Sequence, residues 1–157
     1  MAFPWKKVLC PIDFSDPTQA AMKVAVDLCR QFEGELTLFH AYQLPGYTLP
    51  EGSIVATPKM LQDLAEQTET HLAEWKRIAE GMGLARVVTV KAIGEPATEI
   101  VELAHEGSYD LVVLGTHGRT GLRHALLGSV AERVVRRSGC PVLTVHPEGR
   151  ARKASQL

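Results

Sequence analysis

Residues 111–129, LVVLGTHGRTGLRHALLGS, contain the pattern that decides the fold of this 157-residue chain. The run Leu111–Leu114 is wholly apolar, which is typical of a short strand buried on both faces. Three glycines follow at three-residue steps, and nine residues separate the second of them from a Gly-Ser pair: Gly115, Gly118, Gly121 and then Gly128-Ser129. Apolar residues at helical spacing come next, so the stretch predicts a strand, a glycine-rich loop and a helix.

This order of elements indicates an anion site. Glycine lets backbone N–H groups approach a phosphate closely, and the first turn of a helix adds unpaired donors and partial positive charge. Arg119 and Arg123 place two cationic side chains in the same loop. A Gly-Lys-Ser or Gly-Lys-Thr sequence is absent, and the glycine spacing differs from the dinucleotide fingerprint. The alternative is that the glycines only form tight turns.

The composition is that of an ordinary globular domain. Hydrophobic residues make up 45% of the chain and charged residues 22%, and the net charge of −1 gives no general preference for nucleic acid or membranes. No apolar run is long enough to span a membrane and no secretory leader is evident, so a cytoplasmic location is expected. The three cysteines are widely spaced, which indicates neither a disulfide framework nor a zinc site.

Strand and helix patterns alternate along the chain. Five strands are predicted near residues 7–12, 36–42, 86–93, 111–114 and 141–145, and four helices lie between them. Residues 43–57 are predicted to form an irregular loop, residues 1–148 a single domain, and residues 149–157 a flexible tail. The alternation predicts an α/β fold, an open parallel sheet with helices on both faces.

Ligands of such sheets bind beyond the carboxyl ends of the strands, where the strand order reverses. Asp13 follows the first strand, Ala41 ends the second, and the glycine loop follows the fourth. If the first and fourth strands are neighbours, these three positions share one crevice. Asp13 could accept hydrogen bonds from ribose hydroxyls or an adenine amino group, or it could be a turn or capping residue of the first helix.

Other side chains of this region support no covalent or zinc chemistry. Ser129 is the expected N-cap of the fourth helix and could contact a phosphate from there. His117 and His124 have no metal-ligand spacing, so Mg²⁺ or Mn²⁺ held mainly by phosphate oxygens is favoured over a metal bound by the protein. A serine hydrolase is disfavoured because the nucleophile elbow is missing.

Taken together, the sequence resembles the universal stress protein family over about residues 5–147. The most specific match is Gly115-Thr116-His117-Gly118, the nine-residue gap and Gly128-Ser129, which resembles the signature of the ATP-binding branch. Supporting stretches are VLCPIDFS, LFHAY and GCPVLTV.

The resemblance implies a fold, a site and an assembly. The fold is Rossmann-like, related to the adenine nucleotide alpha hydrolases, with strand order 3-2-1-4-5. The implied site binds ATP, with ADP and AMP as the alternatives, through residues matched by position: Pro11, Asp13, Ala41, Gly115, Thr116, His117, Gly118, Arg119, Gly128, Ser129 and Val130. A homodimer through strand 142–146 and an unidentified partner protein are also implied.

Two functional hypotheses remain open. In the first, the protein is a nucleotide-dependent binding module in stress adaptation. In the second, it is a slow ATPase with the same site, which needs charge neutralisation, in-line geometry and a group that positions water. No residue is an obvious candidate for that group unless Asp13 or His117 turns toward the phosphate. The binding module is therefore favoured.

Overall fold

The computed structural model describes residues 5–44, 47–49, 52–54, 56–118 and 126–147. Their secondary structure runs β1 (Lys7–Pro11), α1 (Asp16–Phe32), β2 (Glu35–Tyr42), β3 (Tyr47–Leu49), β4 (Gly52–Ile54), α2 (Pro58–Gly81), β5 (Val87–Ile93), α3 (Pro96–Glu106), β6 (Leu111–Gly115), α4 (Ser129–Arg137) and β7 (Val142–Val145). The predicted tail, residues 149–157, lies outside the described residues, and so do Arg119 and Arg123.

Five strands form one parallel sheet in the order β5-β2-β1-β6-β7. In terms of the five predicted strands this order is 3-2-1-4-5, so the predicted α/β fold and strand order are confirmed. β1 and β6 are neighbours, with Val8 paired to Leu111 and Leu9 to Val112. The strand order therefore reverses between β1 and β6, which is where a doubly wound sheet forms its crevice.

Each face of the sheet packs against its own pair of helices. Alternate residues of β1 point to opposite faces, so Val8 and Cys10 join one core while Leu9 joins the other. The first core also contains residues of α1 and α2, such as Met22 and Leu72. The second core contains residues of α3 and α4. The wholly apolar run Leu111–Leu114, which predicted β6, thus reflects burial on both faces of the sheet.

The prediction of an irregular loop over residues 43–57 was wrong in part. β3 and β4 form a two-stranded antiparallel pair in which Thr48 lies opposite Ser53. Each strand has only three residues, which is too short for a period-two pattern to be recognised in the sequence.

Helix ends follow local chemistry. Pro17 occupies the first turn of α1, and Ser15 is the N-cap residue, although its side chain makes no capping hydrogen bond. The C-cap residue of α1 is Glu33, which has a left-handed backbone with φ of 53°.

None of the described helices is long and apolar enough to cross a membrane.

The two buried cysteines are predicted to be unreactive in the native protein. Burial is the main cause that raises the pKa of both Cys10 and Cys29, the latter to about 12, and only the thiolate is nucleophilic. Cys140 is partly exposed. Ellman's reagent at pH 8 should therefore label Cys140 first and the other two only after unfolding. A folded Cys140→Ser variant that is still labelled as fast as the first thiol of the wild type would contradict this expectation.

Candidate functional site

A cavity of about 530 Å³ opens at the carboxyl ends of β1, β2 and β6 and the beginning of α4. This volume lies within the range of small-molecule sites. Ten residues predicted from the sequence line it: Pro11, Asp13, Ala41, Gly115, Thr116, His117, Gly118, Gly128, Ser129 and Val130. The structure therefore brings them together around one space, while the remaining predicted residue, Arg119, lies outside the described part of the chain.

Part of the cavity lining is apolar. Pro11 ends β1 and Ile12 follows it, Ala41 lies near the end of β2, and Ile100 comes from α3. Sequence reasoning missed Ile12, Ile100 and Pro96. Their signal is weak because an apolar residue on a helix or strand normally indicates only core packing. These side chains provide a surface suited to a flat apolar group such as a base.

Another part of the lining is formed by the beginning of α4. Gly128 is the N-cap residue of α4 and Ser129 is the first helical residue, so the prediction that Ser129 is the N-cap was wrong by one position. The N–H groups of the first helical turn have no carbonyl partner within the helix. Ser129 and Val130 therefore carry donors at the positive end of the helix dipole, beside the cavity.

Gly128 is held where no larger residue fits without movement. Its N–H donates to the carbonyl oxygen of Thr116 at 2.6 Å. A Cβ at Gly128 would lie 3.1 Å from that same oxygen. The glycine therefore lets the beginning of α4 approach the end of β6 closely, which is the arrangement that the loop-to-helix pattern predicts.

Thr116, the residue that follows β6, is buried and fully hydrogen-bonded. It has no exposed surface, and its Oγ1 lies 3.1 Å from Nδ1 of both His117 and His146. Its N–H donates to the carbonyl of Val145 at the end of β7. Burial of the threonine is compatible with its polarity because each of its polar groups has a partner.

Asp13 is fixed by neighbours from the first turn of α1. Its Oδ1 accepts hydrogen bonds from the Ser15 N–H at 3.1 Å, from the Ser15 hydroxyl, and from the Thr18 hydroxyl at 3.0 Å. Its Oδ2 lies on the side of Gly118, where a Cβ would be only 2.5 Å away. Asp13 is thus both a turn residue and a cavity-lining carboxylate. The two interpretations of Asp13 from the sequence, a turn residue and a hydrogen-bond acceptor for a ligand, are therefore compatible.

An aromatic cluster lies behind Asp13. Phe14, whose φ of 63° is unusual for a residue with a side chain, packs against the rings of His40, His71 and Trp75 at centroid distances of 4.5 to 5.8 Å. Nδ1 of His40 lies 2.7 Å from the carbonyl oxygen of Ile12. These contacts position the turn that follows β1.

Among the described cavity-lining residues, Asp13 is the only one with a carboxylate. Within the described ranges, no group of three or more His, Cys, Asp or Glu residues is placed to hold a metal ion.

Comparison with known proteins gives consistent matches. The model of the universal stress protein family matches residues 4–146. Universal stress protein MJ0531 of Methanocaldococcus jannaschii is 39% identical over 143 residues, which cover 90% of this chain and 82% of that protein.

Two solved structures are also similar. That of MJ0577, from the same organism, has a TM-score of 0.76 and 27% identity, and the match covers 94% of this chain and 99% of that one. A universal stress protein solved in complex with cAMP has a TM-score of 0.72 and 27% identity, with 91% and 98% covered.

Glu95 is predicted to stabilise the wall of the cavity that α3 and α4 form. It caps α3 by accepting hydrogen bonds from the Thr98 and Ala97 N–H groups, and Arg133 of α4 lies 2.9 Å away. Burial acts to raise the pKa of Glu95, but these hydrogen bonds and the Arg133 charge outweigh it and lower the pKa below its ordinary 4.5. We expect Glu95→Ala to reduce the free energy of unfolding at pH 7 by about 1 kcal/mol.

The pH dependence has a definite sign. A lowered pKa in the folded state contributes stability that is complete above the ordinary value of 4.5 and is lost as the pH falls through the folded value. Urea unfolding should therefore show a difference between wild type and Glu95→Ala that shrinks below pH 4.5. Glu102→Ala, at an exposed position of α3, is the control. A difference that grows on acidification would refute the assignment.

Proposed function

The chain belongs to the universal stress protein family, and we propose that it is an adenine-nucleotide-binding module whose ligand occupies the cavity at the carboxyl ends of β1, β2 and β6. The single observation that carries this proposal is the set of groups that line one cavity. Apolar residues, the donor-rich beginning of α4 and the fixed carboxylate of Asp13 all belong to its lining. Such a site suits a molecule with a flat base at one end and phosphates at the other.

The parts of the nucleotide are assigned by position, from the family resemblance. The base would lie beside Pro11 and Ala41, and Asp13 would accept a hydrogen bond from the ribose or the base. Gly115 would lie near the ribose. The phosphates would be held by Gly118, Gly128, Ser129 and the Val130 amide, with Thr116 and His117 in the loop beneath them. Arg119 is assigned to the same loop from the sequence alone.

ATP is the proposed ligand within this class. The sequence has every position of the signature that resembles the ATP-binding branch, and the family relative solved with cAMP supports an adenine nucleotide. A bound Mg²⁺ or Mn²⁺ would neutralise phosphate charge. Asp13 is the only described carboxylate at the cavity, so phosphate oxygens would provide most of its ligands. The proposed role is regulatory, with the occupied state altering dimer packing or a partner surface in stress adaptation.

The proposed site is tested by adding one methyl group to a glycine. Gly128→Ala should weaken ATP binding at least tenfold, because its Cβ would press on the Thr116 carbonyl oxygen and displace the first N–H groups of α4. Isothermal titration calorimetry of ATP with Mg²⁺ measures the effect. Gly139→Ala is the matched control, since a Cβ there has no described neighbour within 4 Å. Equal ATP affinity in the two variants, with both folded, would contradict the assignment.

A homodimer through β7 is the proposed assembly. Within the described part of the chain, β7 pairs on one side with β6 and is an edge of the sheet. The carbonyls of Pro141 and Val145 accept hydrogen bonds from Val112 of β6 and from Thr116, the residue after β6. The two-residue period of a strand therefore turns the N–H and C=O groups of Val142 and Thr144 toward the open edge. A second copy of β7 could pair with these groups; His146 of the predicted 142–146 interface lies just beyond the strand.

Thr144→Pro tests this assembly. Proline removes an N–H on the open edge but none of the hydrogen bonds to β6, so the fold should persist while the dimer dissociates. Thr144→Val keeps the N–H and is the matched control. Size-exclusion chromatography with light scattering should show a monomer for the first variant and a dimer for the second. A Thr144→Pro variant that remains dimeric would rule out pairing through this edge.

A further inference from the structure

We infer that Thr18 and Ser15 are positioning residues that orient the Asp13 carboxylate, so that the cavity presents an acceptor to the nucleoside part of the ligand. The inference deepens the proposed function and rests on it. It concerns two side chains that the loop signature does not include. Ser15 is the N-cap residue of α1, and Thr18 lies in the first turn of that helix and lines the cavity.

The three donors converge on one oxygen of Asp13. The Ser15 N–H, the Ser15 hydroxyl and the Thr18 hydroxyl all reach Oδ1. A carboxylate oxygen offers about two lone-pair directions, so these donors fill the capacity of Oδ1. Rotation of the carboxylate by a half turn only exchanges its two oxygens. In both of these orientations one oxygen accepts from the three donors and the other points away from them. The other oxygen, Oδ2, is consequently held on the side of Gly118.

Burial makes this arrangement rigid. The Thr18 side chain is only 7% exposed, so water competes poorly for its hydroxyl. Hydrogen bonds to a charged acceptor are stronger than those between neutral groups, which favours donation to Asp13. A carboxylate fixed in this way loses little freedom when a ligand binds, and that saving increases affinity.

The Thr18 hydroxyl has a second acceptor within reach. Its Oγ1 lies 2.9 Å from the Ser15 carbonyl oxygen, and one hydroxyl proton serves mainly one acceptor at a time. If the bond to the carbonyl were its only role, loss of the hydroxyl would affect helix stability alone. If Thr18 positions Asp13, the loss must also affect recognition of the nucleoside.

Thr68 provides a matched control for this distinction. It is also a buried helical threonine, 4% exposed, and its hydroxyl donates to a backbone carbonyl, that of Leu64, at 2.9 Å. Thr68→Val therefore removes a similar helix hydrogen bond far from any cavity carboxylate. Thr18→Ser restores the hydroxyl without the methyl group and serves as the rescue variant.

The experiment compares ATP with inorganic tripolyphosphate, both with Mg²⁺, by calorimetry. Thr18→Val should weaken ATP binding roughly tenfold, because an Asp13 carboxylate held by fewer donors must be ordered when the ligand binds, and should leave tripolyphosphate affinity within about twofold. Thr18→Ser and Thr68→Val should bind ATP as the wild type does. ATP affinity unchanged in Thr18→Val, or lost equally for both ligands, would overturn the inference.

Asp13→Asn gives a second test that does not depend on altering α1. The three donors require the amide oxygen at the Oδ1 position, so the amide NH₂ must face the cavity, and ATP affinity should fall at least as far as in Thr18→Val. Wild-type affinity in Asp13→Asn would show that the group rotates freely and would overturn the inference. Failure of the wild-type protein to bind ATP at all would instead refute the proposed function, so the two failures are distinguishable.

Discussion

The hydrogen bond between the Gly128 N–H and the Thr116 carbonyl, 2.6 Å long, is the constraint on which the site depends. It joins the residue after β6 to the N-cap of α4, so both ends of the intervening segment are held at the same edge of the sheet. The Thr116 N–H meanwhile bonds to Val145, which ties this point to β7. Backbone hydrogen bonds of Thr116 therefore join the end of β6 to both the beginning of α4 and the edge strand.

The chemistry of the cavity follows from this arrangement. A residue larger than glycine at 128 would press on the Thr116 carbonyl and move the first turn of α4 away. The turn after β1 also lines the cavity and is held by the Phe14 cluster and by the bonds from Ser15 and Thr18 to Asp13. The two parts are distant in sequence but lie at the same end of the sheet because β1 and β6 are parallel neighbours.

Much of the fold could be predicted because its signals are periodic or come from turn residues. Apolar-rich runs predicted the strands of the main sheet, and proline marked the beginnings of the helices at Pro17 and Pro96. β3 and β4 could not be predicted, since three residues are too few for a period. The cavity residues of the glycine loop were identified through a motif, and Asp13 and Ala41 through their positions at the ends of strands. Thr18 and Ile100 were missed because a helical threonine or isoleucine has no distinctive spacing. The contacts of Oδ1 of Asp13 depend on side-chain orientation, which no sequence pattern specifies.

A crystal structure of the protein grown with ATP and Mg²⁺ would test the central claim most directly. The account predicts electron density for the base beside Pro11 and Ala41, and phosphates on the N–H groups of Ser129 and Val130. It also predicts Asp13 Oδ2 within hydrogen-bond distance of the ribose or the base. A nucleotide bound elsewhere on the protein, or phosphates placed against Pro11 and Ala41, would contradict it.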